Sequence, residues 1–591
     1  MLHAITVQEL CKKLKPVFGK KIDKLYLQYT LTDSREKRAE IEQALNVLYE
    51  KHLNTTLLAE KVLLEPPEKN SIQGEYPLGI VTYADKDLYA FGLREKDWIR
   101  HVCISGMSGS GKTMLAFVIL KDMLKQQKPF IVFDWKKSFR PLLKLDKNIM
   151  CFTVGNPKVA NLFKININKP PKGISPKEWV GILADLITES FFASYGVHKM
   201  LTETLDRAFR DFGVYKGSEN YPTWYQIRDR LEEKADDSKG RGRESEWLES
   251  ALRIAHALTF GYFGEAINSK DRYSLSVDEL MNRKVIFELR SLNSAEKKFF
   301  CEFLLSYIYF TKKAGEDTCN KFKNIILVDE AHNVFLKDRP TFVKETVTDV
   351  VYRELREYGV GLICLDQHVS KLSDVVAGNS ATNIAFHQML PKDVDTIANL
   401  MQLWPNKKFF TMLPVGSAIV KLAERHYLPF QINIPFVELK EELVSDDFIK
   451  NLMEQKVKFS KRMKLFKESV SDEHIAKQVK RLDTVFKASG TKPEKKHVKE
   501  IIKRTNKASG DVEAMDTYIK ENKHVIPCLK LIKRKKLPTT KIYNQLNLSA
   551  RKGNEMKKTL LYLDLIQERE IRNKQGWKKI LELTPKAKKL V

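Results

Sequence analysis

The central part of the sequence predicts an α/β domain in which helices cover a parallel sheet. An apolar run at residues 101–104 is followed by a glycine-rich segment at 106–113, an apolar helix to about residue 124 and a second apolar run at 130–133. Strands and helices that alternate in this order are typical of parallel sheets, whose crossovers pass over the sheet faces. Further short apolar runs predict additional strands of this sheet at 285–289, 325–328, 361–365, 384–386 and 418–420.

The glycine-rich segment matches the phosphate-loop pattern GxxxxGK[ST]. Its residues are Gly106, Met107, Ser108, Gly109, Ser110, Gly111, Lys112 and Thr113. Glycines let successive backbone N–H groups face phosphate oxygens, and the helix that follows presents its positive end to them. In this pattern Lys112 reaches the β- and γ-phosphates, and the Thr113 hydroxyl binds Mg²⁺. The segment therefore predicts a site for ATP and Mg²⁺.

A second predicted strand ends in two acidic residues. Residues 325–328 are apolar, and Asp329 and Glu330 follow them directly. The carboxyl ends of strands in open α/β sheets border the crevice in which ligands bind. We expect Asp329 to hold the water shell of Mg²⁺ and Glu330 to polarise the attacking water, because hydrolysis needs a positioned nucleophile. An acidic pair at a strand end is common by itself, and it is the upstream phosphate loop that favours this interpretation.

Several segments with the same order and spacing lie around these two sites. They are FIVFDWKKS, which contains Asp134, the VDEAH segment, and RELREYGVGLICLDQHVSKL, followed by NSATNIAFHQMLPKDVDTIANL and LPVGSAIVK. Together they resemble the HerA/FtsK superfamily of DNA-pumping ATPases, especially the HerA-like translocases, over about residues 75–435. The resemblance implies a RecA-like P-loop ATPase core that hydrolyses ATP at the subunit interfaces of a ring. It also implies a homo-hexamer and double-stranded DNA as the partner.

The resemblance assigns roles to two further residues. Gln367 corresponds to the sensor of the γ-phosphate, and Arg356 corresponds to an arginine that enters the ATP site of the neighbouring subunit. A guanidinium supplied in trans stabilises charge on the transferring phosphoryl group. Arg353 and Arg356 are three residues apart, so on a helix they would share one face. The alternative for Gln367 is a satisfied polar residue at a strand end, and for Arg356 a solvated charge on a helix.

Other polar residues near the predicted site have plainer interpretations. His332 and His368 have no third ligand at metal-binding spacing, so we expect them to be structural. Asp134 ends the strand before Lys136 and is predicted either to take part in the site or to cap a helix behind Lys136.

Composition divides the chain into four regions. These are a helical N-terminal module at 1–65, the ATPase core at 75–435 with a helical insertion at about 175–280, a charged helical linker at 437–520 and a basic domain at 525–591. The whole chain has 102 Lys+Arg against 75 Asp+Glu, a net charge of +27, and residues 437–591 alone have 39 against 21. Such an excess predicts a polyanionic partner.

The last region is predicted to be a winged helix that binds DNA. Residues 525–591 hold 18 Lys+Arg against 5 acids, and three short helical patterns precede two strand patterns joined by a turn. A recognition helix in the major groove would use the third helix, and the wing would contact phosphates. The candidate DNA-binding residues are Arg551, Lys552, Lys557, Lys558, Arg572 and Lys574. Winged helices also bind proteins, so protein docking stays an alternative.

The predicted function is an ATP-driven translocase or helicase-like motor on double-stranded DNA. The 591 residues contain neither a signal peptide pattern nor an apolar window of about 18 residues, and the seven cysteines are scattered. We therefore expect a cytoplasmic protein without a membrane span. A conjugation or DNA-packaging ATPase remains an alternative, with a nuclease or a conjugation or packaging component as partner. An alternative from another class is a nucleotide-gated DNA-binding scaffold without sustained turnover.

Overall fold

The chain forms two compact units, residues 1–454 and 455–591. A computed structural model describes the ranges 6–53, 62–237, 242–271, 275–315, 318–319, 321–337, 345–438, 444–458, 524–534, 539–549, 552–554, 556–557, 560, 565–573, 576–584 and 587.

Helices of the first unit surround a sheet. In chain order they are α1 Val7–Phe18, α2 Lys20–Leu31, α3 Arg35–His52, α4 Lys69–Ile72, α5 Glu95–Trp98, α6 Lys112–Lys125, α7 Leu142–Leu145, α8 Pro176–Ser190, α9 Tyr195–Asp211, α10 Trp224–Asp237, α11 Arg243–Thr259, α12 Gly261–Ile267, α13 Val277–Met281, α14 Ser294–Ala314, α15 Val347–Glu354, α16 Asp374–Asn379 and α17 Pro391–Leu400. Short 3-10 helices lie at Val214–Lys216, Ala331–Asn333, Leu355–Tyr358, Val369–Lys371 and Trp404–Thr411. A further helical stretch covers residues 446–458.

Within the described part of this unit, eleven strands form one sheet. They are β1 Tyr76–Tyr83, β2 Lys86–Leu93, β3 Val102–Ser105, β4 Phe130–Asp134, β5 Met150–Thr153, β6 Lys284–Glu288, β7 Asn324–Asp329, β8 Val360–Asp366, β9 Thr382–Ala385, β10 Ser417–Leu422 and β11 Phe430–Asn433. Their order is β2-β1-β11-β10-β9-β3-β8-β7-β4-β6-β5.

The sheet is parallel in its larger part. Neighbouring strands run parallel from β9 through to β5, with Ser105 paired to Asp366 and Val328 paired to Cys364. On the other side β10, β11, β1 and β2 pair antiparallel. The predicted α/β fold with a parallel sheet and helical regions is confirmed, and the antiparallel edge is a feature that the prediction lacked.

Burial explains why the central strands are apolar along their whole length. Every residue of β3, β4 and β8 is buried, because helices cover both faces of the sheet there. Strands of this kind carry a continuous apolar run instead of an alternating one. The parallel strands lie side by side, and their carboxyl ends all point to the same end of the sheet. The phosphate loop follows β3 at this carboxyl edge.

Helices α8 to α13 form the insertion, which returns to the sheet at β6, and α14 connects β6 to β7. A buried ion pair joins Lys298 Nζ to the carboxylate of Glu302 at 2.9 Å on α14, and the Ser190 hydroxyl donates to the same carboxylate. The Glu189 carboxylate accepts a hydrogen bond from the backbone N–H of Val347 at 3.2 Å. The last turn of α8, the middle of α14 and the start of α15 are thus tied together at one point.

The N-terminal helices pack on the β1–β2 hairpin. Leu10, Leu14 and Leu45 are buried with Tyr83 in one apolar cluster, and the Tyr83 hydroxyl donates to the carbonyl of Lys13 at 2.8 Å. The helical character predicted for residues 1–65 is therefore present in α1 to α3, where it supports the antiparallel edge.

The second unit contains helices and a hairpin. The helices cover Val525–Arg534 and Thr539–Gln545, and strands β12 Ile566–Asn573 and β13 Gly576–Leu583 pair antiparallel. Residues 552–554 and 556–557 are also helical, and a cluster that includes Leu529, Ile542 and Leu581 is buried. This order of elements agrees with the predicted one, and the winged helix itself stays a prediction. Arg551, Lys558 and Lys574 lie outside the described residues, as does most of the predicted linker.

Candidate nucleotide-binding site

The phosphate loop connects β3 to α6, and its backbone requires glycine. Gly106, Gly109 and Gly111 have φ values of 154°, 78° and 122°, a region that other residues rarely adopt. A Cβ atom on Gly106 would lie 2.7 Å from the Cβ of Phe386, and one on Gly111 would lie 2.9 Å from a ring carbon of Phe386. Close packing against Phe386 therefore excludes a side chain at Gly106 and at Gly111.

Neighbouring strand ends hold the loop in place. The N–H of Gly106 donates to the Asp366 carbonyl at 3.2 Å, and the N–H of Met107 donates to the His387 carbonyl at 2.8 Å. The Ser110 carbonyl accepts from the N–H of Gly416 at 3.0 Å. The loop is thus fixed by the segments that follow β8 and β9 and precede β10. Ser108, Gly109 and Thr113 stay exposed on its open side.

Lys112 is folded over its own loop. Its ammonium group donates to the carbonyl oxygens of Gly106 at 2.5 Å and Met107 at 2.8 Å. Burial lowers the pKa of Lys112 to about 8; the Glu330 carboxylate opposes this change, and the Lys136 charge adds to it. The lysine is therefore poorly solvated and able to exchange carbonyl partners for phosphate oxygens.

The acidic pair lies at the end of β7. Asp329 is the last residue of the strand, and Glu330 follows with a φ of 49° and is buried. The Glu330 carboxylate accepts from the Gln367 amide and forms an ion pair with the ammonium group of Lys136. Gln367 follows β8 and Lys136 follows β4, the two strands that flank β7. The sheet order therefore brings these side chains together on Glu330.

Asp329 lies in a site that disfavours its charge. Burial raises the pKa of Asp329 to about 7, and the nearby carboxylates of Asp134 and Glu330 add to this effect. Ionisation of Asp329 therefore costs free energy in the nucleotide-free protein, and a cation bound beside the carboxylate would reduce this cost.

Asp134 has a structural role. Its carboxylate accepts hydrogen bonds of 2.7–3.1 Å from the backbone N–H groups of Lys136, Lys137, Ser138 and Phe139. Burial raises the pKa of Asp134, and these N–H groups oppose the change. The expected helix cap is wrong in one respect: residues 135–139 form a turn, and the nearest helix, α7, begins only at Leu142. Asp134 fixes the turn that carries Lys136.

Asp366, a buried carboxylate at the end of β8, organises the surrounding loops. It accepts from the backbone N–H groups of His332 at 2.5 Å and His368 at 2.6 Å, and His332 Nδ1 lies 3.0 Å from it. Although burial opposes it, the bond to Asp366 raises the pKa of His332. His368 Nδ1 lies 3.4 Å from the carboxylate of Asp393. Both histidines have the surroundings expected of structural residues. Asp366 was not among the predicted site residues, although its position directly before Gln367 could have indicated that it belongs to the site.

Arg356 lies at the far end of β8 from the phosphate loop. It is exposed and precedes the first strand residue, Val360, whereas Gln367 follows the last one. The seven residues of β8 separate the two ends by about 23 Å at about 3.3 Å per residue. Arg353 lies in the last turn of α15 and Arg356 in the 3-10 turn that follows it directly, and the expectation that they share one face stays a prediction. The geometry keeps Arg356 away from the phosphate loop of its own chain.

The residues present fit a nucleoside triphosphate with Mg²⁺. Ser108, Gly109 and Thr113 are exposed, so phosphate oxygens can reach this side of the loop. The Thr113 hydroxyl and the Asp329 carboxylate are oxygen donors of the kind that Mg²⁺ prefers. Within the described residues there is no cluster of three or more His, Cys, Asp or Glu side chains that could hold a metal.

The sheet and the site at its carboxyl edge place this chain among the RecA-like P-loop ATPases. A family model described as the central domain of helicase HerA matches residues 83–308. Residues 83–308, which include the phosphate loop, are therefore similar to that central domain. None of the helices that the structure describes combines the length and apolar character of a membrane span.

Two curated proteins are similar to part of this chain at low sequence identity. The DNA double-strand break repair helicase HerA of Sulfolobus acidocaldarius is 20% identical over 336 residues, which are 54% of this chain and 62% of the relative. The protein of the same name from Sulfurisphaera tokodaii is 23% identical over 314 residues, 50% and 56% of the two chains. The chain thus spans less than two thirds of either relative. Among solved structures, VirB4 of Thermoanaerobacter pseudethanolicus aligns with a TM-score of 0.48 and 16% identity, covering 61% of this chain and 97% of that one.

The raised pKa of Asp329 predicts that Asp329→Asn stabilises the nucleotide-free protein. The penalty for ionising this carboxyl in the folded state is absent below about pH 4, grows between the unfolded pKa of 3.8 and the folded pKa of about 7, and is constant above. Thermal unfolding should show a gain of about 2–4 kcal/mol at pH 8 that shrinks towards pH 4. Asp374→Asn, at an exposed carboxylate, is the control and should change little. An unchanged or lowered melting temperature of Asp329→Asn at pH 8 would contradict the cost assigned to ionising Asp329 in the folded protein.

Proposed function

We propose that this protein is an ATP-driven motor that translocates along double-stranded DNA and hydrolyses ATP at the subunit interfaces of a homo-hexameric ring. The observation that carries the proposal is the position of Glu330, which meets Gln367 and Lys136 at the carboxyl edge of the sheet next to the phosphate loop. The HerA relatives, described as DNA repair helicases, support DNA as the substrate on which the motor acts.

The chain's own residues perform separable steps of the reaction. Backbone N–H groups of the loop and the positive end of α6 bind the phosphates, and Lys112 exchanges its carbonyl partners for β- and γ-phosphate oxygens. Thr113 and Asp329 would hold Mg²⁺, which would neutralise charge on the phosphates. Glu330 orients and deprotonates the attacking water, and Gln367 holds Glu330 and the terminal phosphate in register.

The position of Arg356 supports the proposed ring. About 23 Å of strand separates it from the phosphate-loop edge of its own chain, so a catalytic contact requires a neighbouring subunit. Arg356 would then neutralise charge on the transferring phosphoryl group of that neighbour. Six subunits are the number that the resemblance to HerA-like translocases favours.

Steady-state phosphate release tests the enzymatic part of the proposal. We expect turnover by the wild-type protein, an increase with double-stranded DNA, and loss of both with Lys112→Ala. A hexameric protein that binds ATP but shows no turnover with or without DNA would instead favour the nucleotide-gated scaffold. Turnover that DNA leaves unchanged would contradict the motor.

Deletion of residues 525–591 tests whether this basic domain binds DNA. The deleted segment carries 18 Lys+Arg against 5 acids, and contacts to phosphates release counterions, so DNA affinity should fall and its dependence on salt should become shallower. Basal ATPase activity should change by less than about twofold, because the catalytic residues precede residue 370. DNA binding measured at several salt concentrations gives the result. Unchanged affinity and salt slope would favour a protein-docking role for the tail.

A further inference from the structure

Lys136 is a basic residue of the site to which neither the phosphate-loop pattern nor the acidic pair gives a role. It follows β4, and its ammonium group forms an ion pair with the Glu330 carboxylate. The Lys136 side chain is 52% exposed and that of Glu330 is 11% exposed. The pair therefore joins a half-exposed ammonium group to a buried carboxylate, which is the proposed general base.

The backbone that carries Lys136 is held firmly. Asp134 accepts from the N–H groups of the turn, and at its far end Arg140 forms two hydrogen bonds to the buried carboxylate of Glu288. Arg140 also donates to Asp446 at 2.5 Å. Because the turn is fixed at both ends, movement at this position is confined to the flexible four-carbon side chain of Lys136.

The order of strands places Lys136 at the terminal-phosphate end of the site. The phosphate loop follows β3, Gln367 follows β8, Glu330 follows β7 and Lys136 follows β4, and these strands are consecutive neighbours in the sheet. At about 4.8 Å per strand, β4 lies about 14 Å from β3. A phosphate chain that starts on the loop and runs towards Glu330 therefore brings its last phosphate closest to Lys136.

Two ammonium groups converge on this edge from opposite sides. Lys112 and Lys136 are close enough for the charge of Lys136 to contribute to the lowered pKa of Lys112, after the larger effect of burial. Each is held by a partner within the chain, Lys112 by loop carbonyls and Lys136 by Glu330. The triphosphate chain of a nucleoside triphosphate carries negative charge on each phosphate, so different phosphates of one chain can pair with the two lysines.

We propose that Lys136 contacts the γ-phosphate and changes partners on nucleotide binding. Without nucleotide it neutralises Glu330. When ATP binds, it moves to the terminal phosphate and leaves the Glu330 carboxylate free to accept a proton from the attacking water. ADP lacks that phosphate, so Lys136 stays on Glu330. Lys136 is thus a positioning residue that couples the presence of the γ-phosphate to the readiness of the base, and this assignment rests on the proposed ATPase function.

Equilibrium binding of ADP and of the non-hydrolysable β,γ-imido analogue of ATP tests the proposal without turnover. Lys136→Ala should weaken analogue binding by about tenfold to a hundredfold, the range for a lost hydrogen bond between charged groups, and should change ADP binding by less than about twofold. Lys136→Arg should restore most of the difference. The matched control is Lys137→Ala, because Lys137 lies next in the chain and pairs with Asp446 at 3.6 Å. It should change neither affinity.

A double-mutant cycle with Glu330→Gln tests the exchange itself. Removing the carboxylate charge frees Lys136 and should tighten analogue binding in the wild-type background, and the gain should be clearly smaller in Lys136→Ala. Equal losses of ADP and analogue affinity in Lys136→Ala, or additive effects in the cycle, would overturn the proposal. A wild-type protein whose nucleotide binding is absent, or unaffected by Lys112→Ala, would instead overturn the ATPase function itself.

Discussion

Glu330→Gln should reduce steady-state ATP hydrolysis by about a hundredfold to ten-thousandfold, the usual contribution of a general base, while ATP stays bound. The amide retains the size and the hydrogen-bonding capacity of the carboxylate, so contact with Gln367 can persist. It cannot take a proton from water. Single-turnover phosphate release and equilibrium ATP binding, measured on the same preparation, separate the lost chemistry from any loss of binding.

A glutamate outside the site serves as the control for this variant. Glu424 is exposed and pairs with Arg100 on the surface, so Glu424→Gln should leave hydrolysis within about twofold. If Glu330→Gln retained more than a tenth of the wild-type rate, the base would have to be another group, and Asp329 is the carboxylate next to it in the chain.

Arg356→Ala should reduce hydrolysis by about a thousandfold or more, the range for an arginine that stabilises the transferring phosphoryl group. ATP binding should be retained, because the residue lies at the opposite end of β8 from the loop of its own chain. Mixing Arg356→Ala subunits with Lys112→Ala subunits should restore part of the activity. In such a ring some interfaces combine an intact phosphate loop with an intact arginine.

The nearby Arg353 gives the comparison for the mixing experiment. Arg353, on α15, is paired with Glu345, which precedes that helix. Arg353→Ala should therefore lose much less activity than Arg356→Ala. Full activity of the wild-type protein as an isolated monomer at low concentration would contradict a shared site. Failure of the mixed subunits to recover any activity, with ring assembly verified, would do the same.

The phosphate loop and the acidic pair could be predicted from sequence because their chemistry is local. Each needs particular residues at a fixed spacing next to a buried strand, and both conditions can be read from consecutive positions such as Gly106 to Thr113. The central strands were predictable for the same reason, since burial on both faces makes them uniformly apolar.

Features that depend on which strands become neighbours were not predictable in this way. The contact between Lys136 and Glu330 arises because β4 and β7 are adjacent although about 190 residues separate them in the chain. Asp366 became evident only once the loops around it had positions. Strands β5 and β11 were not predicted, although they have the same length of four residues as β3 and β9, which were. The 3-10 turn that follows α15 ends at the left-handed Gly359, with a φ of 75°.

The tie between Glu189 and Val347 has a mechanical consequence for the helical insertion. A helical bundle inserted into a sheet domain would hinge freely if its two chain connections alone joined it to the sheet. Here the bond from Ser190 to Glu302 joins the end of α8 to α14, and the bond from Val347 to Glu189 joins it to the first residue of α15, a few residues before Arg353 and Arg356. We therefore expect the insertion to move together with the segment that carries the two arginines.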